Sequence, residues 1–327
     1  MNLLEISDLV IDHDPVTHER RPVPREAVVA RLAAAGDRRG ARIAATLPCA
    51  PDGTLDPDAV DRRLVAVHTE LQRLSEELRT GDRITALLRP LLDALRAGGH
   101  GRIRIVDVGC GLGYLVRWLA ASGALGATAA GATGADVPGA DGTRADGVEL
   151  IGMDFNAALV AEAARLARAE DLPCRFERGD AFAIGGGDAG GGAAATVYVS
   201  TGVLHHFRGP DLDAFFAAHS APGTAAFVHY DIAVTPLAPI GAQVFHRARM
   251  RDPLGRHDGI VSARRAHDDA TLLRAARHAE GLVPLLYEPR RLSNPFCTTL
   301  RPVIGVRPEL RGPLRAALGP RLTGTAG

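Results

Sequence analysis

Six stretches of this chain carry residue types that could do chemistry. Asp107-Val108-Gly109-Cys110-Gly111-Leu112-Gly113 sets three alternate glycines behind a carboxylate. Such a loop turns tightly and lets a ligand approach the backbone without meeting a Cβ. Two further acids, Asp154 after the apolar run Val148–Met153 and Asp180 before Ala181, can accept charge-assisted hydrogen bonds. Val199-Ser200-Thr201-Gly202-Val203-Leu204-His205-His206-Phe207 supplies two imidazoles, and Tyr230-Asp231 adds a phenol and a carboxylate. These are the side chains that move protons near neutral pH. The last stretch, Phe245 to His267, gathers six arginines and three histidines, among them His246, Arg249, Arg251, Arg256 and His257. Guanidinium groups hold carboxylates or phosphates by forked bonds.

The glycine loop must sit between a strand and a helix to serve a nucleotide. Arg102–Val108 reads as that strand and Tyr114–Ala121 as that helix. Strand patterns recur at Val148–Asp154, Cys174–Arg178, Ala195–Ser200, Thr224–Asp231, Leu282–Tyr287 and Leu300–Val306. Helical patterns fall between them at Ala157–Ala169, Asp211–Ala218 and Asp268–Glu280. This alternation predicts right-handed crossovers and a mostly parallel sheet with helices on both faces. The last two strands have no helical pattern between them, so one is expected to run antiparallel at that edge. Upstream, Leu64, Val67, Leu71, Leu74 and Leu78 mark an amphipathic helix from near Pro57, and Ile84 to Leu95 mark another, stopped by Gly98-Gly99. Residues 1–100 thus form an N-terminal helical region, 101–307 the α/β domain, and 308–327 a C-terminal tail.

Two segments interrupt the rhythm. Residues 122–147 are almost entirely small or polar, a composition expected to be flexible and dispensable. Residues 233–267 leave the fifth strand at the edge where ligands bind in such sheets, and read as a lid.

Composition narrows the function classes. Thirty-eight basic residues, all arginine, balance 38 acidic ones, which gives no overall attraction to nucleic acid. Cys49, Cys110, Cys174 and Cys297 are scattered without metal-ligand or disulfide spacing, so no metal is expected. No apolar run approaches a membrane span, and the N-terminus lacks a signal pattern, so a cytoplasmic protein with no membrane partner is expected.

A dinucleotide loop would need a third glycine where Tyr114 stands, and a P-loop needs Lys-Ser or Lys-Thr. The loop instead resembles motif I of the class I S-adenosylmethionine-dependent methyltransferases. The resemblance runs in order over residues 101–307. It implies a Rossmann-like seven-stranded sheet. It also implies cofactor contacts from Asp107, Gly109, Cys110, Gly111 and Gly113, from Asp154 to the ribose hydroxyls, from Asp180 and Ala181 beside the adenine, and from Ser200 and Thr201 near the methionine. Asp154 lies about twice the usual 20 residues beyond the glycines, an excess that the 122–147 insertion explains.

Methyl transfer from a sulfonium asks mainly for positioning, and for a base only when the acceptor must lose a proton. His205, His206, Asp231 and Tyr230 are the candidates. A small-molecule acceptor is expected, anionic if His246, Arg249, Arg251, Arg256 and His257 hold it. An RNA or protein methyltransferase and a non-catalytic cofactor-binding partner are the alternatives, and an aminopropyl transferase would need further carboxylates. Oligomeric state is left open.

Overall fold

Alternation along β3 (Arg102–Val108) sends Ile103 and Ile105 to one face and Val106 and Val108 to the other, so the strand is apolar on both sides. That is the mark of a strand inside a parallel sheet covered twice. The computed structural model describes residues 3–14, 17, 19–126, 147–185, 194–288 and 300–324. Most of the 122–147 insertion, and Cys297, lie outside the described residues.

The described residues form two compact units. The first draws on Met1–Leu74 and Ile232–Ala266, the second on Ser75–Asp231, His267–Arg291 and Leu300–Gly327. In the second, β3 is joined by β4 (Gly147–Asp154), β5 (Arg175–Arg178), β6 (Ala195–Thr201), β7 (Thr224–Ile232), β8 (Val283–Tyr287), β9 (Leu300–Val306) and β10 (Leu322–Thr323). Their spatial order is β10-β8-β9-β7-β6-β3-β4-β5. Strands β3 to β7 pair in parallel, and β8 pairs antiparallel with β9 and β10. This is a Rossmann-like α/β sheet whose chain reverses direction of travel at β3, with the antiparallel edge expected from the sequence.

Helices α4 (Thr80–Ala97), α5 (Tyr114–Ser122) and α11 (Pro308–Leu318) bury Leu88, Leu119 and Leu314 against the face carrying Ile103 and Val197. Helices α7 (Pro210–Ala217) and α10 (Asp269–Ala276) cover the other face with Phe215, Phe216 and Leu272 around Phe227. Helix α6 (Ala157–Ala169) lies against β4 and β5, its first turn capped by Asn156. Two expectations change. Helix α4 shares the sheet's core, because its leucine face has β3 to pack on, so the N-terminal part of the first unit ends at Leu74 and not at residue 100. Residues 308–324 are not a tail: Leu310 and Leu314 enter that core and β10 extends the sheet.

The first unit has its own core of Ile6, Leu32, Leu47, Leu64 and Val67. It contains the hairpin β1 (Asp12–His13) and β2 (Arg20–Arg21), helices α1 (Arg25–Ala34) and α2 (Arg38–Ala44), and most of α3 (Pro57–Glu77). The 233–267 insertion contributes α8 (Ala238–Arg249) and α9 (Pro253–Arg265), and Met250 and Leu254 join this core. Asp258 ties them in. Its two oxygens accept the backbone N–H groups of Ile6 and Ser7 at 2.9 Å each, and Oδ1 also meets His257 Nδ1 at 2.6 Å. Asp258→Ala leaves a buried amide and a buried imidazolium without their acceptor, and should cost about 3–5 kcal/mol. Urea unfolding of the full chain, followed by a probe in the first unit, measures it.

Candidate functional site

The glycine loop folds as its sequence demands. Gly109, Gly111 and Gly113 have φ of 70°, 55° and 70°, a region costly for residues with a Cβ. The N–H groups of Gly109 and Cys110 donate to Met153 O at 2.8 and 3.0 Å, so the loop is pinned to the end of β4. A Cβ at Gly109 would stand 2.7 Å from Val203 Cγ2, and one at Gly113 would collide with the Phe176 ring. Three alternate left-handed glycines are therefore required by geometry.

Asp154 ends β4 beside this loop. Oδ2 accepts Gly111 N–H at 2.8 Å and Oδ1 accepts Asn156 N–H at 2.9 Å, which fixes the carboxylate between the loop and the start of α6. Each carboxylate oxygen has two lone-pair directions. One per oxygen remains, an arrangement matched to two adjacent hydroxyls. Asp107 is almost wholly buried and its Oδ1 has no hydrogen-bond partner. Burial first, and the charge of Asp154 second, hold its carboxyl well above the usual carboxylate range. Burial also raises the Cys110 thiol, with Asp154 and Asp107 adding to it, so this cysteine stays a neutral thiol and no nucleophile.

On the far side of β4, Asp180 accepts Phe182 N–H at 2.9 Å, and Ala181 packs at the edge of the Phe215 core. Two aromatic residues here were not read from the sequence. The Phe155 ring lies under the Arg178 guanidinium at 5.3 Å, and the exposed Phe182 meets Phe207 edge-on at 5.0 Å. The sequence signal was available: each follows or nearly follows one of the singled-out acids.

At the ends of β6 and β7, Asp231 takes two bonds from one residue. Its Oδ1 lies 2.9 Å from His205 Nδ1, and its Oδ2 accepts the His205 backbone N–H at 2.9 Å. A carboxylate can only accept, so Nδ1 carries the hydrogen and Nε2 is the basic atom of neutral His205. The His206 ring lies 4.4 Å from that of His205. His267, absent from the sequence reading as a site residue, holds this turn from α10's side. Its Nε2–H donates to Leu204 O and Phe207 O at 3.1 and 2.9 Å, and burial lowers its pKa.

Two expected site residues prove structural. Tyr230 is buried and donates to Arg83 O at 3.3 Å, and burial raises its phenol, so it is no base at neutral pH. Ser200 is fully buried and bonds His229 Nδ1 at 2.9 Å, which removes it from the cofactor contacts. Thr201, one residue on, is partly exposed at the strand end and pairs with Tyr230 in the sheet.

Ser200 opens a chain whose polarity can be deduced. His229 Nε2 meets His219 Nε2 at 3.0 Å, and His219 Nδ1 meets Phe215 O at 2.9 Å. A carbonyl only accepts, so His219 carries its hydrogen on Nδ1. When His219 is neutral, His229 must donate from Nε2, and Ser200 must donate to His229 Nδ1. Burial lowers His219 to about 4 and, with His219 beside it, drives His229 well below the ordinary value.

The arginine- and histidine-rich insertion is not one basic patch. His257 lies between Asp258 and Asp37 Oδ2 at 2.5 Å; burial alone would lower its pKa, but the two carboxylates raise it. His246 sits 3.0 Å from Met250 Sδ, and burial lowers it to about 4. Arg256 Nε donates to Met250 O at 2.5 Å, and Arg265 pairs with Asp8 at 2.6 Å. These side chains organise the first unit. Arg249 and Arg251 remain exposed.

No family model and no curated protein sequence matches this chain. Solved structures with a similar fold include magnesium protoporphyrin IX methyltransferase from Synechocystis with bound S-adenosylhomocysteine. It has 17% identity and a TM-score of 0.43 over 86% of this chain and 99% of that one. The plantazolicin methyltransferase, solved with a triazolic desmethylPZN analogue and S-adenosylhomocysteine, shows 12% identity and a TM-score of 0.47 over 77% and 99%. Human N-acetylserotonin methyltransferase with S-adenosylmethionine shows 13% and 0.43 over 76% and 56%. The fold stands on the strand order described above, and among the described residues no helix is long and apolar enough to cross a membrane.

The buried histidine pair sets a pH dependence. In the native chain His219 stays neutral down to about pH 4, whereas the unfolded chain takes up that proton from about pH 6.5. The unfolded state binds more protons between these values, so stability falls as pH drops through that window. His219 alone should account for a loss on the order of 3 kcal/mol. Urea midpoints measured across the window should fall less steeply in His219→Leu than in the parent.

Proposed function

We propose that this chain is an S-adenosylmethionine-dependent methyltransferase acting on a small-molecule acceptor. The observation that carries the reading is the glycine loop with Asp154 fixed against it, two of its lone-pair positions left for a ribose diol. The donor set also suits a cation. Burial first, and the nearby charge of Asp154 second, push Asp107 toward its protonated form, and its Oδ1 lacks a partner. A positively charged ligand relieves that repulsion. S-adenosylmethionine, when bound, supplies a methyl group already activated by its sulfonium.

The chain's own residues then hold and deprotonate. Asp231 fixes the His205 ring and its tautomer, and Nε2 is the atom proposed to take a proton from the acceptor. His267 positions the turn carrying His205 through the carbonyls on either side of it. Phe155 and Phe182 offer aromatic faces near Asp154 and Asp180 for an adenine. Of the five side chains expected to hold an anionic acceptor, His246, Arg256 and His257 are engaged within the first unit, so these three do not argue for an anionic acceptor. The balanced charge disfavours a nucleic-acid acceptor.

Asp154→Ala should weaken S-adenosylmethionine and S-adenosylhomocysteine alike, by about 1.5–3 kcal/mol per lost charged bond. Titration calorimetry measures this, and unchanged affinity would remove Asp154 from the site. His205→Gln should lower kcat about a hundred- to ten-thousandfold with cofactor affinity within about twofold. The acceptor for that assay is found by screening the protein with methyl-labelled cofactor against small-molecule, peptide and RNA pools. Labelling of a peptide or RNA instead would replace the acceptor class.

A further inference from the structure

Helix α8 turns apolar side chains outward as well as inward. Ala238, Gly241 and Ala242 are buried, while Leu237, Ile240 and Val244 are 48%, 60% and 65% exposed. Steps of three, four and three carry one line from Leu237 through Ile240 and Val244 to Arg247, the spacing of a single helix face. Of the six large apolar side chains that are exposed among the described residues, four lie between Val234 and Val244. That concentration makes this a patch and not scattered surface.

Charge sets what the patch meets. Between Ile232 and Arg251 there are three arginines and no acidic residue. The acids at its end are already bonded: Glu70 accepts the backbone N–H groups of Arg251 and Asp252, and Asp252 pairs with Arg63. We infer that this outward face docks α8 on an anionic membrane surface, its apolar line entering the acyl boundary and Arg247 and Arg251 meeting lipid phosphates. A second copy of the chain would bring another set of arginines and no carboxylate from this segment to neutralise them. A bilayer interface offers apolar depth and negative charge side by side, which is the pairing α8 presents. Lying on a surface requires no membrane-spanning helix.

The test uses the full chain and needs no cofactor, so its outcome is independent of the methyl-transfer reading. The protein should cosediment with vesicles of mixed phosphatidylcholine and phosphatidylglycerol, stay in solution with phosphatidylcholine alone, and be released by salt. Replacing Arg247 and Arg251 by Ala should weaken binding roughly fivefold per arginine. The double variant Ile240→Glu, Val244→Glu should abolish it with an unchanged circular dichroism spectrum. As a second readout, Val244→Trp should show a blue-shifted emission on the anionic vesicles relative to the parent. Failure to sediment, equal binding to phosphatidylcholine, or an unshifted tryptophan overturns the inference. So does a dimer by light scattering that the double variant converts to monomer without any vesicle binding.

Discussion

The position of β3 in the middle of its sheet governs what the rest of the second unit can do. Its parallel neighbours are β4 on one side and β6 on the other, so the chain leaves β3 in one direction and later returns past it in the other. Loops after β3 and β6 must then part at that point, and a crevice opens between them. The glycine loop, Asp154 and the His205 turn all issue from carboxyl ends at or beside this parting. Their proximity follows from connectivity before any side chain is considered.

What side chains add is direction. Asp154 and Asp231 each bond through both carboxylate oxygens, the first to a loop and a helix start, the second to the ring and the backbone of His205. Such two-point bonds remove a rotational freedom that a single bond leaves. The Ser200–His229–His219 chain does the same inside a core of phenylalanines, where every misdirected hydrogen would leave a buried polar atom unpaired.

Much of this was legible in the sequence. Strands β3 to β9 alternate or run apolar clearly enough to be placed within a residue or two, and the glycine loop declares itself by the spacing of residues 109, 111 and 113. Asp154 and Asp231 could be placed at strand ends and His205 in the loop after β6, but the bond between His205 and Asp231 was not read from the sequence. Helix α9 was not, since Gly255 and Gly259 weaken its pattern and its stability comes from the Asp252 cap and the Asp258 bonds. The tail reading of 308–327 overlooked Leu310 and Leu314, four residues apart behind Pro308. Ser200 and Tyr230 were misassigned for one reason. Strand alternation turns both into covered faces, and which faces are covered depends on helices distant in sequence. His267 acts through backbone carbonyls of a remote turn, and nothing local in the sequence announces that.

One ring links two of the glycines. Phe176 on β5 lies where a Cβ on either Gly113 or Gly152 would have to go. Glycine at 113 and 152 is therefore a condition set by the size of residue 176. In relatives of this chain the three positions should drift as a set, a smaller side chain at 176 accompanying alanine at 152. At 113 the left-handed backbone adds its own demand, so that position should change last. An evolutionary record of this site would be written in those three columns jointly, and reading any one alone would mistake a packing partnership for a catalytic requirement.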